Sequence, residues 1–163
     1  ELDRRLHSDP LWRGYNIALG DQDTMLPFNV AVVSTEMSSF LQPVDPSWDL
    51  RTEQVQVRRL DSLYAELVRP IGSPKVFLKM DTQGYDIEVI KGAAGCLGEI
   101  LAIQSEVCVD PTYQGMTGYL EALGLYERLG YRLVGISEIA RSSKLGNISE
   151  LNCVLTKGAV RVA

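Results

Sequence analysis

The sequence predicts an α/β domain: a largely parallel sheet with helices on both faces and an antiparallel hairpin at one edge. Three observations predict it. Strand-like runs alternate with amphipathic helical ones from Gln54 to Leu129. The runs Val76 to Met80 and Ile100 to Ile103 are apolar almost without a break, as strands buried on both faces are. The two closing strand-like runs, Tyr131 to Ile136 and Leu151 to Thr156, have no helix between them. At 163 residues the whole chain, 1–163, reads as a single domain, the length being ordinary for one core.

The elements follow in order. Leu2 and Leu6, four apart among the charges of Glu1 to Asp9, predict the last turns of an amphipathic helix stopped by Pro10. The chain is therefore expected to begin inside an element, and Glu1 in place of a methionine fits a processed or truncated protein. Tyr15 to Leu19 is a short apolar strand closed by Gly20 and Asp21. Leu26 to Val33 predicts another, with Pro27 keeping its beginning out of a central ladder position. Residues 34–49 hold serines, prolines and Trp48 without periodicity, which predicts a long loop of the kind that lies over a site. Gln54 to Leu60 alternates at period two, as a half-exposed strand does. Leu60, Leu63, Tyr64, Leu67 and Val68 then form a helical stripe, with Asp61 placed to cap it and Pro70 to end it. Beyond the strand Val76 to Met80, Ile87, Ile90 and Ala94 mark the inner stripe of a second helix, loosened at its end by Gly92, Gly95 and Gly98. Ile100 to Val107 is a strand. Thr117 to Leu129 is a helix carrying Leu120, Leu123, Tyr126 and Leu129 on one face, with Gly130 at the left-handed cap position.

Composition removes several function classes. The formal net charge of -5 provides no positive field for nucleic acid or an anionic membrane surface. No apolar run approaches the ~20 residues of a membrane span. Cys96, Cys108 and Cys153 are odd in number and widely spaced, and His7 is the sole imidazole, so neither a disulfide framework nor a structural zinc site fits. They read as buried or half-buried thiols in a reducing compartment. With no leader visible, the expected location is cytoplasmic.

The chemistry concentrates in VFLKMDTQGYDIEVIKGA, residues 76–93. In open α/β sheets, ligands collect beyond the carboxyl ends of the strands, where amides and helix N-termini point and crossovers diverge. Asp81 and Glu106 each fall at such an end, and on neighbouring strands they would share one rim about 5 Å apart. The bland reading of Asp81 is a cap for the helix starting near Tyr85. Lys79, in an otherwise apolar strand, must snorkel, pair with Asp81 or Asp86, or serve a ligand. Asp86 suits a first helical turn regardless of function, and Gly84 answers a positive φ or a close backbone approach. Tyr113 and Gln114 read either as substrate-facing or as turn residues.

These residues also carry a resemblance. LKMDTQGYDIEVIKGA, preceded by NIALGDQD and VRRLDSLYAEL and followed by AIQSEV, YERLGYRLVGI and ELNCVLTK, resembles the C-terminal two-thirds of an FkbM-family methyltransferase. Its most specific element is Lys79, Asp81, Gln83-Gly84 and Asp86, then a helix ending Lys91-Gly92-Ala93. The resemblance implies a class I methyltransferase (Rossmann-like) sheet that uses S-adenosylmethionine, with a hydroxyl of a sugar, glycan or natural product as the small-molecule or glycan acceptor. It implies cofactor contacts from Ala18, Leu19 and Asp21 after the third strand of that fold, and from Asp81, Gln83 and Gly84 after the fourth. Asp81, Glu106 and Lys79 are then the catalytic candidates. Asp86 replaces the family's more usual Glu, and Asn152 stands where an Asp is frequent.

The resemblance also implies that the first two strands of the fold, with their glycine-rich turn and ribose-binding acid, precede this chain. Gly92, Gly95 and Gly98 follow a helix rather than a strand and do not supply that turn. Without those strands, the Asn16 and Val76 strands are expected to have unpaired inner edges, open to exchange or to a dimer partner.

Methyl transfer to a hydroxyl gains most from holding the reacting atoms in line, and then needs a base. His7 lies in the terminal helix, which leaves Asp81 first and Glu106 second, provided burial raises a carboxyl pKa or a cation such as Lys79 stabilises the alkoxide. A divalent metal on Asp81, Asp86 and Glu106 is the alternative within chemistry. An inactive fragment or interaction module is the alternative outside it. A nicotinamide oxidoreductase ranks last, for want of a fingerprint turn.

Overall fold

A computed structural model of the protein describes residues 9, 11–142 and 146–158. The predicted terminal helix over Glu1 to Asp9 lies almost wholly outside the described residues. Among the described residues, seven strands and three α-helices run in the order β1 (Ala18–Leu19), β2 (Thr24–Ala31), β3 (Leu50–Arg58), α1 (Leu60–Val68), β4 (Val76–Lys79), α2 (Asp86–Gly92), β5 (Ile100–Cys108), α3 (Tyr119–Arg128), β6 (Tyr131–Arg141) and β7 (Ile148–Lys157).

The fold is mixed α/β, and its strands form two sheets rather than the one expected. In the smaller sheet β3 is central, with β1 parallel on one side and β2 antiparallel on the other. Pro27 therefore sits on an edge strand, opposite Gln54, where a residue with no N–H is tolerated. In the larger sheet the order is β4-β5-β7-β6, with β4 and β5 parallel and β7 antiparallel to both its neighbours. The closing hairpin is present as expected, and β6 forms the edge.

Helices on both faces are not found among the described residues. Leu60 and Tyr64 of α1, Ile87 and Ile90 of α2, and Ala122 and Tyr126 of α3 all enter one core cluster with Ile103, Val107, Cys153 and Leu155. Because side chains alternate along a strand, the other face of the larger sheet carries Phe77 and Lys79 of β4, Gln104 and Glu106 of β5, and Asn152 and Val154 of β7. Phe77 is 51% exposed and Val154 is partly exposed. The three thiols are all buried.

Two helix details depart from the sequence reading. Asp61 does not cap α1: the cap position is Arg59, and Asp61 instead pairs with Arg59 at 2.6 Å and accepts the Gly95 N–H at 3.2 Å. The capping work falls to Asp23 from the turn after β1, which accepts the Arg59 N–H at 2.8 Å and the Ser62 hydroxyl at 3.2 Å. The inner stripe of α2 includes Ala93 rather than Ala94, which is exposed, because the helix ends at Gly92 before reaching that turn. In α3, Leu120 is exposed and Ala122 takes its place in the core.

Gly92 joins the two sheets. A Cβ built there would lie 1.8 Å from the Gly20 carbonyl oxygen, so only glycine lets α2 rest directly on the turn that leaves β1. Through that contact the carboxyl ends of β1 and β4 come to face one another.

Candidate functional site

Between those strand ends lies a cleft of about 300 Å³, bounded by Ala18 and Leu19 of β1, by Leu78 and Lys79 of β4, and by Met80, Asp81 and Thr82 after it. It falls at the lower end of the volumes typical of ligand pockets. Among the described residues β1 pairs only with β3 and β4 only with β5, so each strand turns an unpaired edge toward this side. Phe28, Phe40 and Tyr85 close the cleft as an aromatic cluster, with ring centroids 4.8 Å apart at each step, Phe28 edge-on to Phe40 at 67° and Tyr85 tilted to it at 41°. Phe40 and Ser38 come from the 34–49 loop, which thus lies over the site as its composition predicted.

Lys79 is half exposed and resolves its dilemma by pairing: its Nζ lies 2.8 Å from Asp81 Oδ2. That hydrogen bond, with the added charge of Glu106 and Asp86, holds the ammonium above its ordinary range. Asp81 does not cap α2, whose cap position is Tyr85 without a side-chain bond. Its carboxylate stays at the mouth of the cleft with Lys79.

Asp86 has a different occupation. It is 4% exposed, and donors satisfy both oxygens: Thr82 through its N–H and hydroxyl on Oδ1, and the Ser105 hydroxyl at 2.6 Å and the Glu106 N–H at 3.1 Å on Oδ2. Ser105 in turn bonds the Tyr126 hydroxyl at 2.7 Å. Burial pushes the Asp86 carboxyl up, and the Ser105 and Thr82 bonds restrain it. This network fastens the start of α2 to β5 and α3. Among the described residues no group of three or more carboxylate, thiol or imidazole side chains is placed to hold a metal ion.

Glu106 follows Gln104, the register partner of Lys79, along β5. It is pushed up to about 7, first by burial and then by the charges of Asp81, Glu150 and Asp86, with Lys79 opposing. It does not line the main cleft. It borders a void of about 10 Å³ shared with Gly84, Asp86 and Ser105, about the room of one water.

Gln83 and Gly84 also lie off the cleft lining. Both have positive φ, 51° and 89°, as the two central residues of a mirror-image turn require. The Gln83 carbonyl accepts the Ser39 hydroxyl at 2.7 Å. Tyr113, 2% exposed, donates its hydroxyl to the Met37 carbonyl at 2.7 Å and meets Gln83 Oε1 at 3.1 Å. Tyr113 is therefore an anchor rather than a substrate-facing group. Around it the two loops pair through their backbones: Val44 N–H to Thr112 O, and Gln114 N–H to Gln42 O. Asp21 sits beside α2, where its charge acts on Tyr85 and Lys91.

The structure thus brings Ala18, Leu19, Lys79 and Asp81 together, sets Glu106 one step behind them, and uses Gln83, Gly84 and Asp86 to hold the turn that aims them. Sequence reasoning missed the Phe28–Phe40–Tyr85 wall. Its only local signal is an aromatic residue, Phe40, inside a serine-rich stretch that makes no regular element.

Residues 3–133 match the family model described as the methyltransferase FkbM domain. No curated protein and no solved structure matches the chain.

Proposed function

Because the chain belongs to the FkbM methyltransferase family, we propose that it takes part in S-adenosylmethionine-dependent O-methylation of a hydroxyl on a sugar, glycan or natural product. The observation that carries this reading is the single cleft in which Ala18 and Leu19 face Lys79 and Asp81.

The residues present fit part of the cofactor. The apolar wall of Leu19, Phe28 and Phe40 suits a purine-like ring, and the Lys79–Asp81 end suits the place where methyl is exchanged. S-adenosylmethionine, when bound, supplies a methyl group on a positively charged sulfur. The chain's part is to hold the acceptor oxygen and to remove its proton. Asp81 is the first candidate to receive that proton. Its Oδ2 is held by Lys79, which leaves Oδ1 for the acceptor, and the ammonium beside it favours negative charge developing on the acceptor oxygen. Glu106, raised to about 7, titrates where a proton carrier at neutral pH is most effective. The class I, Rossmann-like assignment is supported by the order β4-β5-β7-β6 with a single inverted strand.

This reading makes the partner a small-molecule or glycan acceptor and not nucleic acid or membrane, and leaves the open β1 and β4 edges as the place where a second copy would pair in a dimer. No described helix is long and apolar enough to cross a membrane, and we place the chain in the cytoplasm on its three buried thiols.

Calorimetric titration of the full chain with S-adenosylhomocysteine tests the proposal. Micromolar binding that weakens at least tenfold in Phe40→Ala is expected. Absence of binding would favour the inactive-module reading.

A further inference from the structure

Ser39 stands in the chain between two residues that line the cleft, Ser38 and Phe40, yet is itself 1% exposed. Its backbone pairs with Asn29 of β2: the Ser39 N–H donates to the Asn29 carbonyl at 3.0 Å, and the Asn29 N–H to the Ser39 carbonyl at 2.9 Å. The Asn29 side chain adds a bond to the Leu41 carbonyl at 3.1 Å. This pairing sets the adjoining Phe28 and Phe40 ring against ring. The Ser39 hydroxyl is then free to reach the other way, where it donates to the Gln83 carbonyl at 2.7 Å while accepting the Leu41 N–H at 3.0 Å. Beside it the Tyr113 hydroxyl donates to the Met37 carbonyl at 2.7 Å and lies 3.1 Å from Gln83 Oε1. Packing is as close as the bonding, since a Cβ at Gly84 would lie 3.0 Å from Met116 and 3.2 Å from Leu41. Gln83 follows Asp81 by two residues. Two buried hydroxyls therefore join the segment that carries Phe40 to the turn from which Asp81 projects. Residues 38–42 belong to no helix or named strand, so their place depends on such bonds, and a buried polar network with its partners satisfied rigidifies what it joins.

We propose that Ser39 and Tyr113 are positioning residues for the cleft: their hydroxyls clamp the 38–42 segment to the Gln83–Gly84 turn, so that the Phe40 wall and the Asp81 carboxylate are held as one unit. Neither residue lines the cleft; both act through Phe40 and the turn. That this unit receives S-adenosylmethionine rests on the methyl-transfer reading, whereas the clamp rests on its hydrogen bonds alone.

Ser39→Ala and, independently, Tyr113→Phe each remove one hydroxyl from the full chain. Hydrogen exchange followed by mass spectrometry reads the clamp. Each variant should speed exchange about fivefold or more, the worth of one ordinary hydrogen bond, in residues 37–42 and 82–85 together, with residues 100–108 unchanged. Unchanged exchange in either variant would remove that residue from the clamp, and faster exchange confined to one of the two segments would overturn the clamp. Calorimetry with S-adenosylhomocysteine reads the positioning. Each variant should weaken binding about fivefold in the natural chain but less than about twofold when added to Phe40→Ala, because a residue that acts through Phe40 has nothing to position once the ring is gone. Equal losses in the two backgrounds would overturn the positioning role and leave the hydroxyls a purely structural one. No binding to the natural chain, with exchange raised as expected, would remove the methyl-transfer reading and the positioning role with it, while the clamp itself would stand.

Discussion

Replacing Glu106 by Gln should make folding stability less sensitive to pH. In the folded chain the Glu106 carboxyl is raised from its ordinary 4.5 to about 7 by burial and by the carboxylates of Asp81, Glu150 and Asp86. A raised acid favours the protonated form in the fold. Its stability contribution is therefore fully present below pH 4.5 and is lost as pH rises through about 7. Each pH unit between the two values is worth about 1.4 kcal/mol, which sets a ceiling of about 3.5 kcal/mol. Glu106 is only partly buried, and solvent screening brings the expected effect to about 1–2 kcal/mol. Urea unfolding of the natural chain and of Glu106→Gln at pH 5 and pH 8 gives the double difference directly. Asp86 and Glu150 are also raised, but both are present in the two proteins, so their own titration largely cancels; the coupling among the three carboxyls adds to the Glu106 contribution. The natural chain should lose about 1–2 kcal/mol more than the variant on going to pH 8. Parallel losses, or a greater loss in the variant, would refute the placement of Glu106 in a desolvated acidic surrounding.

Three further outcomes are expected. Asp86→Asn leaves one oxygen where two now accept from Thr82, Ser105 and the Glu106 N–H; orphaning buried donors should cost about 2–4 kcal/mol in urea unfolding. Lys79→Met and Asp81→Asn each break a half-exposed ion pair and should change stability by less than about 1 kcal/mol, while lowering kcat by about a hundredfold or more once an acceptor is assayed. Gly92→Ala places a methyl group against the Gly20 carbonyl, and the repacking of α2 away from β1 should cost about 3 kcal/mol and weaken S-adenosylhomocysteine binding together with the melting temperature.

The larger sheet was legible because its signals are local: unbroken apolar runs, a 3.6-residue stripe, and a closing pair of strands with no helix between them. β4, β5, β6 and β7 stand where those runs placed them, and β6 and β7 are longer than predicted because the hairpin extends into the polar stretch 137–150. What could not be read is whatever depends on partners distant in sequence. Whether one sheet or two forms is decided at the β1 and β4 edges, and a strand's own residues do not encode which neighbour it lacks. Asp23 caps α1 from 36 residues away in sequence, so a local search for a cap found Asp61 instead. The Phe28–Phe40–Tyr85 wall unites a strand, a loop and a helix start, and no window of sequence contains it.

The acidic residues of the 79–86 stretch show why residue type alone could not separate function from support. Asp81 and Asp86 flank the same turn, and both are carboxylates at a βα junction, a position that favours either a cap or chemistry. Their difference is in what meets them. Asp86 lies under the turn, where Thr82, Ser105 and the Glu106 amide take up its oxygens, and a group so fully bonded has nothing left for a ligand. Asp81 lies above the turn, where its carboxylate pairs with Lys79 and its charge is felt by Glu106 and Glu150. Gln83 and Gly84, at positive φ, reverse the chain between the two, so one carboxylate is driven into the core and the other left at the cleft. Asp86 therefore acts as the fixed end of a lever: by tying α2 to β5 and α3 it sets the turn from which Asp81 projects. On this argument the family's most specific motif is a support for Lys79 and Asp81 as much as a binding surface, and loss of Asp86 should be felt in stability before it is felt in affinity.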